Sequence, residues 1–135
     1  MQRKILVIED ETDIRQAIHR QLAGSGFNVV EARDGEDGIR ILNTGDNPLT
    51  VDAIICDVRM PRINGAEAAA YFRHEYPDIP VIVLTGYPDV RLAEEFMSEG
   101  IVDYLVKPVE KTELINAINK ATGYRAMRCD ASLTL

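Results

Sequence analysis

AIICDVRMPRING, residues 53–65, opens on a short apolar run and halts at a single carboxylate, Asp57. The run is too brief for a typical helix and rich in isoleucine, which predicts a buried strand. Pro61, Asn64 and Gly65 follow and require a loop. An acid at the carboxyl end of a buried strand stands where open α/β sheets hold their ligands. The rest of the chain can be read by asking what gathers around Asp57.

Upstream, residues 5–8 are a second apolar run, ending in Glu9, Asp10 and Glu11. Ile14, Ala17, Ile18 and Leu22 then share one face at helical spacing, up to Gly24-Ser25-Gly26. Residues 27–32 predict a short strand with Val29 and Val30 in the core. Asp34 caps a helix that turns Ile39 and Leu42 inward. Residues 43–50, NTGDNPLT, read as a turn-rich loop.

Downstream of Asp57, Asn64 with Glu67 three places on marks a helix start. Ala66, Ala69, Ala70 and Phe72 give that helix its apolar face, and it ends before Pro77. Residues 80–85, PVIVLT, are a buried strand ending at Thr85. Asp89 caps a helix with Leu92, Ala93, Phe96 and Met97 inward, stopped by Gly100. Residues 102–106 are the last strand, ending at Lys107-Pro108. Thr112 caps a final helix carrying Leu114, Ile115, Ile118 and Ala121, closed by Gly123. Residues 124–135 show no clear pattern and read as a C-terminal tail or the start of a linker.

Five strand–helix units in strict alternation predict an α/β fold, a single doubly wound (βα)5 domain with a parallel sheet and helices on both faces. All strands of such a sheet point one way, so their carboxyl ends form one rim. Glu9, Asp10, Asp57, Thr85 and Lys107 can meet there. Carboxylates crowded at one rim repel one another unless a cation binds between them. Hard oxygen donors with no Cys or His among them select Mg²⁺, with Mn²⁺ a second choice, over zinc. A metal, an ammonium and a hydroxyl around one carboxylate make a site for a phosphoryl group in transfer. Asp57 is then either a metal ligand or a phosphate acceptor, and its central place favours acceptor.

Composition removes other classes. The chain has 135 residues, enough for one domain with its own core. A net charge of −7 argues against direct nucleic-acid binding, and no stretch approaches membrane-spanning length. Arg3 and Lys4 precede too short an apolar run for a signal peptide. Cys56 and Cys129 are expected as free thiols in a reducing, cytoplasmic setting. No repeat or low-complexity tract is present. His19 and His74 fall on helices away from the rim and read as surface residues rather than phosphodonors. Arg125 and Arg128 are too few for a nucleic-acid patch.

Taken together, E-D-E at residues 9–11, D-V-R-M-P-x-x-x-G at 57–65, L-T-G at 84–86 and Y-L-V-K-P at 104–108 resemble the receiver domain of two-component response regulators, in its chemotaxis-receiver form. The resemblance runs from about residue 4 to 123, which it marks as the receiver domain, with every motif in order. It implies a sheet of order 2-1-3-4-5. It also implies that Asp57 takes phosphate from a sensor histidine kinase or phosphotransfer protein. Asp10 would bind Mg²⁺ directly and Glu9 through water, with Asp57 and the backbone carbonyl of Arg59 completing the protein ligands. Lys107 would pair with the acyl phosphate, and Thr85 would swing its hydroxyl onto a phosphate oxygen. Tyr104 would turn inward as Thr85 moves. The Lys107–Pro108 bond would be cis, and Gly86 would leave a path to Asp57. Arg59 and Tyr87, both large, are expected to modulate the phosphorylated lifetime by hindering the hydrolytic water. In this family the face made by the fourth helix, fifth strand and fifth helix carries phosphorylation-dependent homodimer or target contacts.

Two other functions fit parts of this pattern. A Mg²⁺-dependent phosphohydrolase with an aspartyl-phosphate intermediate uses the same architecture. Phosphatases of the haloacid-dehalogenase type place a general acid two residues after the nucleophile, where this chain has Arg59. A flavin or dinucleotide binder lacks support, because no G-x-G-x-x-G follows the first strand. No output domain is legible in the sequence. The expectation is therefore a stand-alone receiver or a fragment of a longer regulator.

Overall fold

A computed structural model of the chain describes residues 2–58, 65–86 and 89–133, with no account of the side chains at 65, 66, 92 and 124–133. The strands are β1 (Lys4–Ile8), β2 (Asn28–Ala32), β3 (Val51–Asp57), β4 (Val81–Thr85) and β5 (Asp103–Val106). They form one parallel sheet of order β2-β1-β3-β4-β5. The helices are α1 (Thr12–Ala23), α2 (Gly35–Leu42), the single turn α3 (Asn47–Thr50), α4 (Gly65–Glu75), α5 (Val90–Ser98) and α6 (Lys111–Leu133).

Successive side chains of a strand leave opposite faces of the sheet, and the core divides accordingly. Leu6, Ile8, Ile54, Cys56, Val81 and Val83 pack with Leu42, Phe72 and Phe96 on one face. Ile5, Val7, Ala53, Ile55, Ile82 and Leu84 pack with Ile18, Leu22, Leu114 and Ile118 on the other. So α2, α4 and α5 cover one side, and α1 and α6 the other. Both faces are buried, which is why the inner strands read as unbroken apolar runs. No described helix is long and apolar enough to cross a membrane.

Several local expectations need correction. Val29 and Val30 are half-buried, because β2 is an edge strand; Ala32 is its fully buried residue. Residues 47–50 form a helical turn with Pro48 at its start, where a fixed φ suits the first turn. Ala68, not Ala70, joins Ala69 and Phe72 in the core, and Met97 is 49% exposed. Thr112 lies inside the first turn of α6 rather than at its cap, and Leu114 N–H bonds to the Glu110 carbonyl. Gly123 does not close α6, which runs on to Leu133. The described glycines with positive φ are Gly26, Gly45 and Gly100, each outside a helix. A helical glycine costs only about 1 kcal/mol against alanine, which good helix formers nearby, Ala121, Arg125, Ala126 and Met127, can outweigh. The expected start at Asn64 lies outside the described residues.

Asp34 does cap α2: Asp37 N–H donates to its Oδ1 at 2.7 Å. That helix presses its Gly38 onto β1. A Cβ there would stand 2.5 Å from Ile8 Cδ1 and 2.9 Å from Cγ1, and Ile8 is fully buried. Overpacking of this kind costs about 1–3 kcal/mol, against about 1 kcal/mol gained in helix propensity. Gly38→Ala is therefore expected to lower unfolding free energy by about 1 kcal/mol in a urea titration, where an exposed helical glycine would give a gain.

Candidate functional site

Strand register brings the rim residues together. Ile8 pairs with Cys56 and Asp57 with Leu84. Glu9 therefore leaves β1 in step with Asp57 on the neighbouring strand, about 4.8 Å away across the sheet. Thr85 pairs with Val106, and Lys107 N–H donates to the Thr85 carbonyl at 2.8 Å. Carboxylate oxygens of Glu9, Asp10 and Asp57 lie within 4.8 Å of one another. Glu9 and Thr85 are fully buried, Asp57 is nearly so, and Asp10 is exposed.

Lys107 closes this group from the β5 side. Its Nζ donates to Asp57 Oδ2 at 3.1 Å and stands 2.7 Å from Glu9 Oε2. Glu11 N–H donates to the other Glu9 oxygen at 3.3 Å. Glu9 Oε2 is buried against the Lys107 ammonium. One ammonium thus serves two buried carboxylates with a third at their edge. The balance appears in the acidities. Burial, helped by the Asp57 charge, pushes the Glu9 carboxyl up to about 7 against the pull of Lys107 and the Glu11 N–H. Burial draws the Lys107 ammonium down, but Glu9 and then Asp57 outweigh it and hold its pKa above the usual lysine value. Cys56, next to Asp57, is a buried cysteine whose thiol is pushed up, by burial first and then by the Asp57 and Glu9 charges. It is no nucleophile.

The donor set suits a hard divalent ion. Three carboxylates converge, a single ammonium serves two of them, and the exposed Asp10 leaves an approach from solvent. Mg²⁺ commonly takes one or two carboxylates and keeps waters for the remainder. Arg59, expected to add a backbone carbonyl, and Tyr87, expected as a modulator, lie outside the described residues.

Tyr104 shares a sheet face with Thr85, since β4–β5 register pairs Val83 with Tyr104 and Thr85 with Val106. Its ring is half-buried beside Phe96, with centroids 6.4 Å apart. Its hydroxyl accepts from Asp89 N–H at 3.3 Å, at the head of α5. The ring thus bridges β5 to the start of α5 and is not packed on the acids. Gly86 has open space where a Cβ would stand, and the Lys107–Pro108 peptide is cis.

His74 is exposed, whereas His19 is tied in. His19 Nδ1 lies 2.9 Å from Glu31 Oε2, and Arg15 Nε donates to Glu31 Oε1 at 3.0 Å. Arg15 Nη1 also donates to the Glu9 carbonyl at 2.7 Å. Sequence reasoning missed Arg15. The available signal was a cation one helical turn past Glu11, beside the inward-facing Ile14.

Residues 5–119 match the family described as the response regulator receiver domain. The transcriptional regulatory protein GlrR of Escherichia coli is 31% identical over 93% of this chain, a match that spans 28% of GlrR. The response regulator MprA of Mycolicibacterium vanbaalenii is 34% identical over 83% of this chain and 47% of its own length. The chain thus spans less than half the length of these curated relatives. Among solved structures, a response regulator receiver domain protein from Clostridium thermocellum superposes with a TM-score of 0.87 at 36% identity, covering 93% of this chain and 98% of that one. The chemotaxis protein CheY4 of Vibrio cholerae gives 0.81 at 27%, covering 90% and 99%.

Proposed function

Because the chain belongs to the response regulator receiver domain family of two-component signalling, we propose that Asp57 is the phosphoacceptor and that its donor is a phosphohistidine on a sensor kinase or phosphotransfer protein. One observation carries the reading: a nearly buried carboxylate on the central strand, bonded to a lysine ammonium and flanked by two more acids. A carboxylate oxygen of Asp57 bonds to phosphorus as the donor's P–N bond breaks, and the electron pair leaves on the imidazole nitrogen. Glu9, Asp10 and Asp57, with the Arg59 carbonyl, would hold Mg²⁺. When bound, Mg²⁺ neutralises charge on the phosphoryl oxygens.

Lys107 then turns from the carboxylates to the new phosphoryl oxygens. The preference is charge-assisted, since phosphate adds negative charge where the ammonium already sits. Thr85 follows with its hydroxyl. Tyr104 responds by leaving Asp89 and repacking, which biases the face made by α5, β5 and α6 between two states. On that face Val90 is 76%, Met97 49% and Val106 39% exposed. Apolar exposure on a charged protein supports a contact surface for a second copy or an output partner. Beside Lys107, an apolar groove lined by Ile14, Ala17, Ile18, Leu84 and Val109 supports the approach of the donor. We take residues 1–123 as the receiver unit and 124–135, of which α6 takes in residues as far as Leu133, as a C-terminal tail or the start of a linker.

We read the chain as a phosphoacceptor rather than a turnover enzyme. The phosphohydrolase alternative is not favoured, because Arg59 stands where such an enzyme places its general acid. Incubation with acetyl phosphate and Mg²⁺ is expected to add one phosphate by intact mass, labile to hydroxylamine. Addition of beryllofluoride should change the solution mass or the chemical shifts of α5 and β5. Steady release of nitrophenol from p-nitrophenyl phosphate would instead favour the hydrolase.

A further inference from the structure

We propose that Arg15 is a positioning residue for the cation site, acting through the peptide that joins Glu9 to Asp10; the inference rests on the reading of those acids as Mg²⁺ ligands. Glu9 lies one residue beyond the end of β1, where the ladder no longer provides for its carbonyl. Its N–H is held by the Ala32 carbonyl at 3.1 Å, and its C=O by Arg15 Nη1 at 2.7 Å. These groups sit in the peptides on either side of Glu9, so the two bonds together restrain its φ and ψ and, with them, the orientation of the Glu9–Asp10 peptide. That orientation decides where the Asp10 carboxylate emerges relative to Glu9 and Asp57.

The guanidinium is itself immobilised. Its side chain is 12% exposed, and Nε donates to Glu31 Oε1 at 3.0 Å on β2. Glu31 is in turn held by His19 at 2.9 Å. The Arg15 backbone N–H donates to the Glu11 carbonyl at 2.9 Å, so the same residue opens α1 and clamps the turn before it. A plain tether between α1 and β2 needs only the contacts to Glu31. The bond to the Glu9 carbonyl is additional and points into the acidic turn. A planar fork can serve both acceptors at once, which an ammonium cannot do with the same geometry. Outer contacts of this kind set metal affinity without touching the metal.

The test is Mn²⁺ binding, followed by the loss of the free-ion electron paramagnetic resonance signal, on wild type, Arg15→Ala, Arg15→Lys and His19→Gln. Arg15→Ala is expected to bind Mn²⁺ about tenfold more weakly, the low end for loss of an outer-shell partner. Its phosphorylation rate by acetyl phosphate should recover at saturating Mg²⁺. Arg15→Lys, which keeps a donor within reach of the Glu9 carbonyl, should recover part of the affinity. His19→Gln, which keeps a donor for Glu31 and leaves both Arg15 contacts in place, should bind as wild type does. Wild-type affinity in Arg15→Ala, with only its thermal midpoint lowered, overturns the inference and leaves a structural tether. Absence of Mn²⁺ binding by wild type overturns the underlying reading of the acids.

Discussion

Asp57→Asn is expected to gain no phosphate from acetyl phosphate in the presence of Mg²⁺, with the rate falling by at least about a thousandfold, the scale on which losing a nucleophile acts. The amide keeps the shape of the carboxylate but has no anionic oxygen to offer phosphorus. Folding should survive. Asp57 is one of two buried acids sharing a single ammonium, and its charge is one of the influences that raise Glu9. Neutralising it relieves repulsion, so the thermal midpoint of the variant should match or exceed wild type. Its response to beryllofluoride should vanish as well, because that complex needs the same oxygen. Phosphate incorporated at the wild-type rate would move the acceptor to another residue and remove the centre of the proposed chemistry. An unfolded variant is separated from an inactive one by the midpoint itself.

The path from sequence to fold was short here for a physical reason. A parallel sheet covered on both faces needs strands that are apolar on both sides, so β1, β3 and β4 each carry an unbroken apolar run, residues 5–8, 53–56 and 81–84, bounded by charged residues or, in β4, by Pro80 and Thr85. Their carboxyl ends must coincide, so the residue after each run becomes a candidate for the rim. Glu9, Asp57, Thr85 and Lys107 were legible for that reason. What sequence could not give was set by tertiary contact. The half-exposure of Val29 and Val30 depends on β2 lying at the edge, and the apolar alternation alone does not carry strand order. Ala68 and Ala70 are chemically identical, and only the rotation of α4 on the sheet decides which is buried. Gly123 looks like a stop in any local reading, yet α6 runs through it. Arg15 was missed because its partner is a backbone carbonyl, which leaves no mark in the side-chain pattern. The shared lysine was visible only as a residue type. That it bridges Glu9 and Asp57 together required the register of four strands.

Glu9 makes the second large prediction, through the pH dependence of stability. Its carboxyl titrates at about 7 in the fold against an ordinary value of 4.5, with burial as the leading cause. Between those two values the folded protein binds more protons than the unfolded chain. Stability must therefore fall as pH rises through that window, and level off above it. The contribution is intact below pH 4.5 and fully lost above about 7. A shift of this size corresponds to a loss on the order of 3 kcal/mol. Glu9→Gln removes the titration while keeping shape and a hydrogen-bonding oxygen for the Glu11 N–H. In metal-free buffer near pH 8, the variant is expected to be more stable than wild type by on the order of 3 kcal/mol. Near the unfolded carboxyl pKa the two should converge. Urea titrations across this range, with a chelator present, read the difference directly. Magnesium gives the complementary arm. Wild type near pH 8 should regain stability with added Mg²⁺ as RT ln(1 + [Mg²⁺]/Kd), about 2.7 kcal/mol at a hundred times Kd, whereas Glu9→Gln should regain less. Parallel stability curves for the two proteins would mean that Lys107 already neutralises Glu9, and that the acids are not held in waiting for a cation. A carboxylate that destabilises the empty fold and is relieved by a divalent ion is a ligand whose place was set by binding rather than by folding.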